Sequence, residues 1–313
     1  MSSADLHGLR TVLSRRSGVA AFLVVILSWA SMPLFLKYFT GLLDGWTVNG
    51  VRYTIAALLA LPYLMLRVRA GTVSPGLYRD ALIPAGCNIV GQICWGLSPY
   101  FNHASIMHFI GRSTFLFMIV FGYVLLHEER KLIARPLFWL GALGTVSGVV
   151  AMFLGGTAQG STSTTGVLLL LGAGAGWAAY GVAVKRCMGR HSARLSFCVI
   201  SLYTAPVLLA LMFGLGDWPR IATLGVPDWF WIVLSAVTAI TLAHTLLYVV
   251  IKHYGPIVTD GVLQVIPFVT VVGAYLLFGE VLTGLQWFGG TLLVGGSYAL
   301  LTAKRQTLPG TGG

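Results

Sequence analysis

Ten long runs of apolar residues follow one another along the chain, separated by short stretches that contain charged residues, glycine or proline. A helix needs about 20 predominantly apolar residues to cross the hydrocarbon core of a bilayer, and every run reaches about that length. The pattern therefore predicts an all-α membrane protein with ten transmembrane helices. We call these runs segments 1 to 10, and their approximate bounds are 18–38, 46–66, 81–101, 104–126, 136–155, 166–186, 194–214, 229–251, 256–278 and 283–303.

Two junctions between the runs are short enough to leave an alternative count open. Asn102-His103 separates segments 3 and 4, and Gly255-Pro256 separates segments 8 and 9. Joining each pair into one long helix would give eight spans. Ten spans are preferred because each joined stretch is too long to cross a bilayer once.

The positions of lysine and arginine test this topology, because cytoplasmic loops of membrane proteins carry an excess of both. With ten spans and both termini cytoplasmic, the cytoplasmic side receives Arg10, Arg15, Arg16, Arg67, Arg69, Arg79, Arg130, Lys131, Arg135, Lys185, Arg186, Arg190, Arg194, Lys252, Lys304 and Arg305. The opposite side has the basic residues Lys37 and Arg220 and the acidic residues Asp44, Asp217, Asp228 and Glu280. Eight spans would put some basic clusters on the wrong side. The asymmetry predicts a multi-pass protein of the cytoplasmic (inner) membrane.

The composition excludes a soluble globular protein. Of the 313 residues, 57% are apolar and 9% are charged, and the mean hydropathy is +0.84, whereas a soluble domain has about 25% charged residues. A net charge of +11 would indicate nucleic-acid binding in a soluble chain, but here the basic residues lie between the apolar runs. The expected partners are therefore the lipid bilayer and a small-molecule substrate, and no nucleic acid.

The sequence contains no motif for processing, catalysis or cofactor binding. Its cysteines, Cys87, Cys94, Cys187 and Cys198, lack metal-ligand spacing, and no Walker loop, haem motif or zinc-ligand cluster is present. We therefore expect no enzyme activity, cofactor or metal. In the first run, the central Trp29 and the lack of a small-x-small cleavage site favour a retained helix over a signal peptide.

The two halves of the chain resemble each other. Two residue pairs share an offset of 148 positions, Trp29 with Trp177 and Lys37 with Lys185. Trp-Leu-Gly at 139–141 and Trp-Phe-Gly at 287–289 keep the same offset, and segments 4 and 9 end in Leu-Leu-His-Glu-Glu and Leu-Leu-Phe-Gly-Glu. The shared order predicts an internal duplication.

Each copy has an odd number of spans, so the second copy has to insert upside down. Inverted repeats of this kind are common in secondary transporters, where substrate binds near the midplane between the repeats. The predicted organisation is a cytoplasmic tail at 1–17, a first five-helix repeat at 18–155, a second, inverted repeat at 166–303 and a cytoplasmic tail at 304–313.

These features resemble the EamA-type family of the drug/metabolite transporter superfamily over essentially the whole chain. The resemblance depends on the ten-span plan, the mid-helix Trp29 and Trp177, Ile266-Pro267-Phe268 in segment 9 and the following Leu277-Phe278-Gly279-Glu280. It implies an exporter of amino acids or related small metabolites. It also implies a central cavity lined by segments 1, 3, 4, 6, 8 and 9.

Ionisable residues inside the spans are candidates for function. A charge at the bilayer centre costs about 2.5–3.5 kcal/mol on insertion scales, so such residues face the protein interior or a water-filled cavity. Arg112 lies near the middle of segment 4, Arg52 in the outer third of segment 2 and Asp260 about a turn inside segment 9. Arg112 is predicted to bind a substrate carboxylate, the alternative being a buried pair that only holds the bundle together. Arg52 can instead extend to the membrane interface, and Asp260 can cap or pair.

Four segments carry polar or aromatic residues at helical spacing on one face. They are Asn88, Gln92, Trp95 and Pro99 in segment 3, His108, Arg112 and Phe115 in segment 4, Thr241, His244 and Tyr248 in segment 8, and Asp260, Gln264 and Pro267 in segment 9. Such stripes predict a shared aqueous cavity. The candidate substrate-binding residues are Trp29, Asn88, Gln92, Trp95, His108, Arg112, Trp177, His244, Tyr248 and Gln264.

The predicted function is a secondary transporter that works by alternating access. Imidazole titrates near neutrality, so His108 and His244, together with Asp260, are candidates for proton coupling, although structural roles for the histidines and tryptophans stay open. The alternatives are a passive channel, which would need a continuous polar lining, and an intramembrane enzyme, which would need serine with histidine or paired acids. The glycine-rich segments 5 and 10 are expected to meet each other or a second subunit, which would form a homodimer.

Overall fold

A computed structural model describes residues 3–126, 132, 134–155, 163–244, 246–247, 250 and 262–306, with side chains from residue 18 onwards except at 125, 126 and 193. Within these residues every regular element is helical and no strand is present. The all-α class predicted from the sequence is confirmed to that extent. Two residues of the predicted site, Tyr248 and Asp260, lie outside the described residues.

Twelve α-helices are described, α1 to α12 in chain order. Their bounds are Ser3–Phe39, Gly45–Arg69, Leu77–Asp80, Leu82–Leu97, Ala104–Gly111, Thr114–Phe121, Pro136–Leu154, Thr164–Met188, Ala193–Leu215, Val226–Ser235, Ile266–Phe278 and Gly284–Arg305. Two 3-10 helices, Ser98–Tyr100 and Trp218–Thr223, and two π-helical stretches, Gly122–Leu126 and Ala236–Leu242, extend or connect them.

These helices follow the predicted segments closely. Seven helical stretches in the described residues are long and apolar enough to cross a membrane, from Gly18–Phe39 to Arg194–Leu215, and Val226–Leu242 and Ile266–Phe278 are shorter apolar helices. The count of ten spans stays a prediction. Segment 4 differs from the prediction, because α5 ends at Gly111 and α6 begins at Thr114, so that the helix is interrupted at Arg112 and Ser113.

Local sequence explains several helix starts. The Asp44 carboxylate accepts hydrogen bonds from the backbone N–H groups of Trp46 and Thr47 at 2.9 and 3.0 Å, so it caps α2. At the start of α12, Thr283 and Gln286 form a capping box, in which each side chain bonds to the other residue's backbone N–H. Pro136 occupies the first turn of α7, where its missing N–H leaves no intrahelical bond unmade.

Glycine faces bring α7 and α12 into close contact within the chain. A Cβ atom added to Gly148 would lie 2.7 Å from the Gly289 carbonyl oxygen, and one added to Gly296 would lie 2.7 Å from the Gly141 carbonyl oxygen. Backbones this close require the absence of side chains. The glycines of segments 5 and 10 therefore meet each other. The predicted homodimer would have to use other faces of α7 and α12, and it stays a prediction.

Two further close pairings surround the centre of the bundle. α4 packs on α8, where a Cβ atom added to Gly176 would lie 2.7 Å from the Gly91 nitrogen, and α2 packs on α9, where Gly50 faces Met212. With α7 and α12 to one side, these pairs and α1, α5, α6, α10 and α11 enclose the interior.

Polar contacts connect the loops at each end of the bundle. At the first end, which we call the Glu280 end, the Asp44 carboxylate accepts the N–H of Asp217 at 2.8 Å, and Tyr38 donates its hydroxyl to Asp228 at 2.8 Å. At the opposite end, the Arg190 end, Arg190 bonds the Asp80 carboxylate at 2.6 Å. The Glu280 end is the predicted extracytoplasmic side.

Candidate functional site

A cavity of about 360 Å³ lies inside the bundle. Of the ten predicted substrate-binding residues, nine line it: Trp29, Asn88, Gln92, Trp95, His108, Arg112, Trp177, His244 and Gln264. Six of them lie in α1, α4, α5 and α8. Arg112 follows α5, His244 follows the second π-helical stretch, and Gln264 precedes α11. Residues from segments 1, 3, 4, 6, 8 and 9 therefore surround one space.

Aromatic rings form part of the wall of this cavity, in two groups. The centroids of the Trp177 and Trp95 rings are 5.0 Å apart, and those of Trp95 and His108 are 5.3 Å apart. Trp29 contacts His244 edge-on at 5.7 Å, and Phe197 stacks on the other side of His244 at 5.4 Å. Such faces bind planar or apolar parts of a ligand, and each ring pair adds about 0.5–1.5 kcal/mol beyond its buried area.

The two histidines of the wall each bond a backbone carbonyl. His108 Nε2 lies 2.7 Å from the Trp29 carbonyl oxygen, and His244 Nδ1 lies 2.7 Å from the Ile240 carbonyl oxygen. A carbonyl oxygen only accepts, so the hydrogen must be on these nitrogens when the rings are neutral. The other ring nitrogen of each histidine has no hydrogen-bond partner among the described residues. Each ring can thus still accept a proton there.

Amide and hydroxyl groups form a second region of the lining. Gln92 donates to the Asn88 side-chain oxygen at 3.4 Å, and Asn88 donates to the Thr204 hydroxyl at 3.0 Å and to the Tyr53 hydroxyl at 3.5 Å. The Asn49 side chain donates to the backbone carbonyl oxygen of Gln92 at 2.9 Å. The network joins α2, α4 and α9. It fixes the orientation of the amides that a polar ligand would meet.

Arg112 lies at the interruption between α5 and α6. Its Nη1 lies 3.5 Å from the Leu263 carbonyl oxygen, and its own carbonyl oxygen accepts the hydroxyl of Ser297 at 3.4 Å. Irregular backbone at membrane depth occurs where it is buried in protein or lines a cavity. The interruption therefore belongs to the same site as the guanidinium, and Phe115, three residues on, also lines the cavity.

Several lining residues were not predicted. Tyr53 adds segment 2 to the wall, and Tyr180 and Gly181 follow Trp177 by three and four residues. For Tyr180 and Gly181 a usable signal was their helical spacing from the predicted Trp177, whereas segment 2 contained no predicted lining residue one turn from Tyr53. The remaining members are Met32, Gly111, Thr114, Met118, Ala239, Ile240, Leu247 and Leu263. Pro99, Thr241 and Pro267 are absent from the described lining.

Arg52 corrects an expectation. An extension of its side chain to the membrane interface was one reading of the sequence, but the residue is only 2% exposed. Its Nε donates to the Ser235 hydroxyl at 2.9 Å. The reason is that α2 packs on α10, which covers the face of α2 that carries Arg52.

Glu280 connects the loop between α11 and α12 to the start of α5. Its carboxylate accepts the backbone N–H groups of Ala104 and Ser105 at 3.0 and 2.8 Å, and His103 Nδ1 lies 3.5 Å away. Burial raises the pKa of Glu280, but the bonds with His103, Ser105 and Ala104 outweigh burial, so the pKa is lowered from its usual value. A carboxylate at the start of α5 also meets the positive end of the helix dipole.

The chain shares its fold with a protein of known structure. A solved structure described as "Crystal structure of protein" superposes with a TM-score of 0.64 over 93% of this chain and 99% of that chain, at 18% sequence identity, which shows a shared fold. No curated protein sequence matches the chain significantly.

Residues 164–302 match the model of the EamA-like transporter family. The second half of the chain is therefore similar to that family, which is part of the drug/metabolite transporter superfamily. The resemblance inferred from the sequence is confirmed for this part of the chain. The family consists of membrane transporters rather than enzymes, in agreement with the expected absence of enzyme activity.

Proposed function

We propose that the protein is a secondary transporter that exports small polar metabolites, amino acids or related compounds, across the cytoplasmic membrane by alternating access. The observation that carries the proposal is the cavity itself. Nine predicted residues from six segments line one space of about 360 Å³, which is within the range of small-ligand sites.

The chemistry of the lining supports a small polar substrate with an anionic group. Arg112 is always protonated and can bind a carboxylate through two parallel N–H groups. The Asn88 and Gln92 amides offer hydrogen bonds, and Trp95 and Trp177 offer flat apolar faces. His108 and His244 each keep one ring nitrogen for a proton, which is what coupling to a proton gradient needs. Tyr248 and Asp260 remain proposed members of this site.

The packing of the helices supports two inverted repeats. If segments 1–5 correspond to segments 6–10, each contact between the halves should recur between the two counterparts. The contact of segment 3 with 6 recurs as that of 8 with 1, the contact of 4 with 6 as that of 9 with 1, and the contact of 3 with 7 as that of 8 with 2. Segments 5 and 10, 2 and 7, and 4 and 9 pack on their own counterparts. A twofold relation between the halves produces this exchange of partners. The family match at 164–302 lies within two residues of the predicted second repeat at 166–303.

Alternating access requires a cavity that is closed at one end at a time. Lys37 Nζ bonds the carbonyl oxygens of Pro99 and Asn102 at 3.2 Å within the first repeat, and Glu280 of the second repeat bonds the start of α5 in the first. We infer that these contacts close the Glu280 end. The lining includes Met118 in α6, toward the Arg190 end. We infer that this conformation is the one nearer to cytoplasmic opening.

The test is the replacement of Arg112 by alanine in proteoliposomes. A panel of labelled amino acids first identifies a transported substrate for the wild type. We expect Arg112→Ala to abolish its transport while insertion and expression stay normal, because the carboxylate loses its cationic partner. Arg220→Ala, which changes an exposed arginine at the Glu280 end, is the matched control. Normal transport by Arg112→Ala would show that Arg112 does not bind the substrate.

The same vesicles separate a carrier from a channel. A carrier saturates with substrate concentration and exchanges internal for external substrate, whereas a channel does neither. Proton coupling is tested by applying a pH gradient. If His108 carries the coupling proton, His108→Gln should remove the acceleration by the gradient but leave exchange, and an unchanged acceleration would exclude that role.

A further inference from the structure

Arg52 is a buried guanidinium with almost no polar partner. It is 2% exposed, and its one hydrogen bond among the described residues runs from Nε to the Ser235 hydroxyl at 2.9 Å. Its Nη2 is sealed from solvent and has no hydrogen-bond partner there. The Ser235 hydroxyl is itself committed to the Ile232 carbonyl oxygen at 2.8 Å. Most of the five N–H donors of this side chain are therefore unused.

A structural role does not explain this arrangement. A structural arginine inside a membrane protein pairs with a carboxylate or with several carbonyl oxygens. None of the ion pairs found in the described part of the chain includes Arg52. The guanidinium does not lose its proton, so its charge stays in the protein interior at an energetic cost. An anion that arrives during function would relieve that cost.

The position of Arg52 beside the cavity connects it with the substrate. The next residue in α2, Tyr53, lines the cavity, and so do Ala239 and Ile240 in the π-helical stretch that follows Ser235. Side chains on a helix point toward its N-terminus, which for α2 is the Glu280 end. Arg52 thus lies beside the cavity, toward the end that is closed in this conformation.

We propose that Arg52 binds the anionic group of the transported substrate, a carboxylate, when the cavity opens toward the Glu280 end. Movement of α10 relative to α2 would uncover the guanidinium, and the substrate would pass from Arg112 to Arg52 on its way out. The assignment rests on the proposed transport function and adds to it a second position that binds the substrate carboxylate.

The first experiment measures binding without transport. In purified protein that carries Arg112→Ala, sodium benzoate should raise Tm, whereas uncharged benzamide should raise it much less. Adding Arg52→Gln should remove the rise produced by benzoate. No rise in the Arg112→Ala protein, or the same rise in both proteins, overturns the proposal. Sodium chloride is the control for a free inorganic anion. If chloride raises Tm as much as benzoate does, and Arg52→Gln removes that rise, the site binds an inorganic anion and the proposal is overturned.

The second experiment measures transport in proteoliposomes. The amino acid with the highest wild-type rate is compared with the amine that lacks its carboxylate. We expect Arg52→Gln to raise KM for the amino acid at least about tenfold, the effect of one lost charged contact, and to leave the amine unchanged. Equal effects on both compounds, or none, overturn the proposal. If the wild type transports no compound, the transport function fails, while the binding experiment still decides the role of Arg52.

Two further variants separate binding from folding. An unpaired charge that is kept for function weakens the fold, so Arg52→Gln should have a Tm equal to or above that of the wild type. Ser235→Ala removes the present partner of Arg52 and should retain transport. A lowered Tm with Arg52→Gln together with loss of transport in Ser235→Ala would show that the residue only joins α2 to α10. Arg52→Lys, which keeps the charge without the planar fork, should show an intermediate KM.

Discussion

Replacing Glu280 by alanine removes the carboxylate at which α5 begins. This side chain is 4% exposed and lies 175 or more residues from the two backbone N–H groups that it accepts, those of Ala104 and Ser105. Alanine cannot accept either bond, and the buried position limits replacement by water. Both N–H groups would stay desolvated and unpaired, which is more costly than the loss of an exposed bond.

The two bonds set the size of the effect. A hydrogen bond to a charged group contributes about 1.5–3 kcal/mol, so two at the lower bound give about 3 kcal/mol for Glu280→Ala. With an unfolding entropy of about 2.1 cal/mol/K per residue, this corresponds to a fall in Tm of roughly 4–5 °C for 313 residues. Glu280→Gln keeps one acceptor oxygen and should lose about half as much.

Thermal unfolding with a thiol-reactive dye measures this effect, because the four cysteines are buried or half-buried in the folded protein. Asp217→Ala is the control, since that side chain is exposed at the same end of the bundle. If Glu280→Ala and Asp217→Ala unfold at the same temperature, the cap does not stabilise the protein.

The lowered pKa of Glu280 adds a pH dependence. A carboxyl group whose pKa is depressed by folding contributes stability above its unfolded pKa, about 4.3, and this stability is lost as the pH falls through the folded pKa. The difference in Tm between wild type and Glu280→Gln should therefore be constant above about pH 5 and shrink in acid. A difference that grew in acid would contradict the sign.

Two glycine pairs give further predictions. Gly296→Ala should destabilise the protein by about 1–3 kcal/mol, because the new Cβ would lie 2.6 Å from a backbone nitrogen of α7. The control Gly295→Ala meets nothing within 4 Å and should be neutral or stabilising. Equal Tm values for the two variants would contradict this close approach. Gly91→Ala should raise KM by displacing Trp177, whose indole would lie 2.6 Å from the new Cβ. The control Gly86→Ala meets nothing within 4 Å and should transport normally. Transport assays check both variants, and an unchanged KM for Gly91→Ala would show that Trp177 does not shape the site.

The cavity was largely predictable because one physical rule governs it. In a helix the positions i, i+3 and i+4 share a face, and polar groups in a membrane face the protein interior. Asn88, Gln92, His108 and Arg112 therefore had to meet in the interior, and they do. Tyr53 and Tyr180 obey the same rule, but a tyrosine is also common at interfaces, so its type alone did not single it out.

The interruption at Arg112 was not predictable from the residues around it. Arginine and serine have ordinary helix propensities, and neither residue terminates a helix by itself. The break coincides with contacts from distant parts of the chain, the Ser297 hydroxyl on the Arg112 carbonyl and the Leu263 carbonyl near Nη1. Those partners are known only once the helices are packed.

The sequence by itself determined the segments, the local caps such as Asp44 and the faces that turn inward, because transfer of a helix into lipid and capping depend on residues close together in the chain. Only the tertiary structure decided that Glu280 caps α5, that Arg52 is buried where it meets Ser235 and that α7 covers the glycines of α12. Such contacts depend on distances between residues far apart in sequence, which packing sets and composition does not.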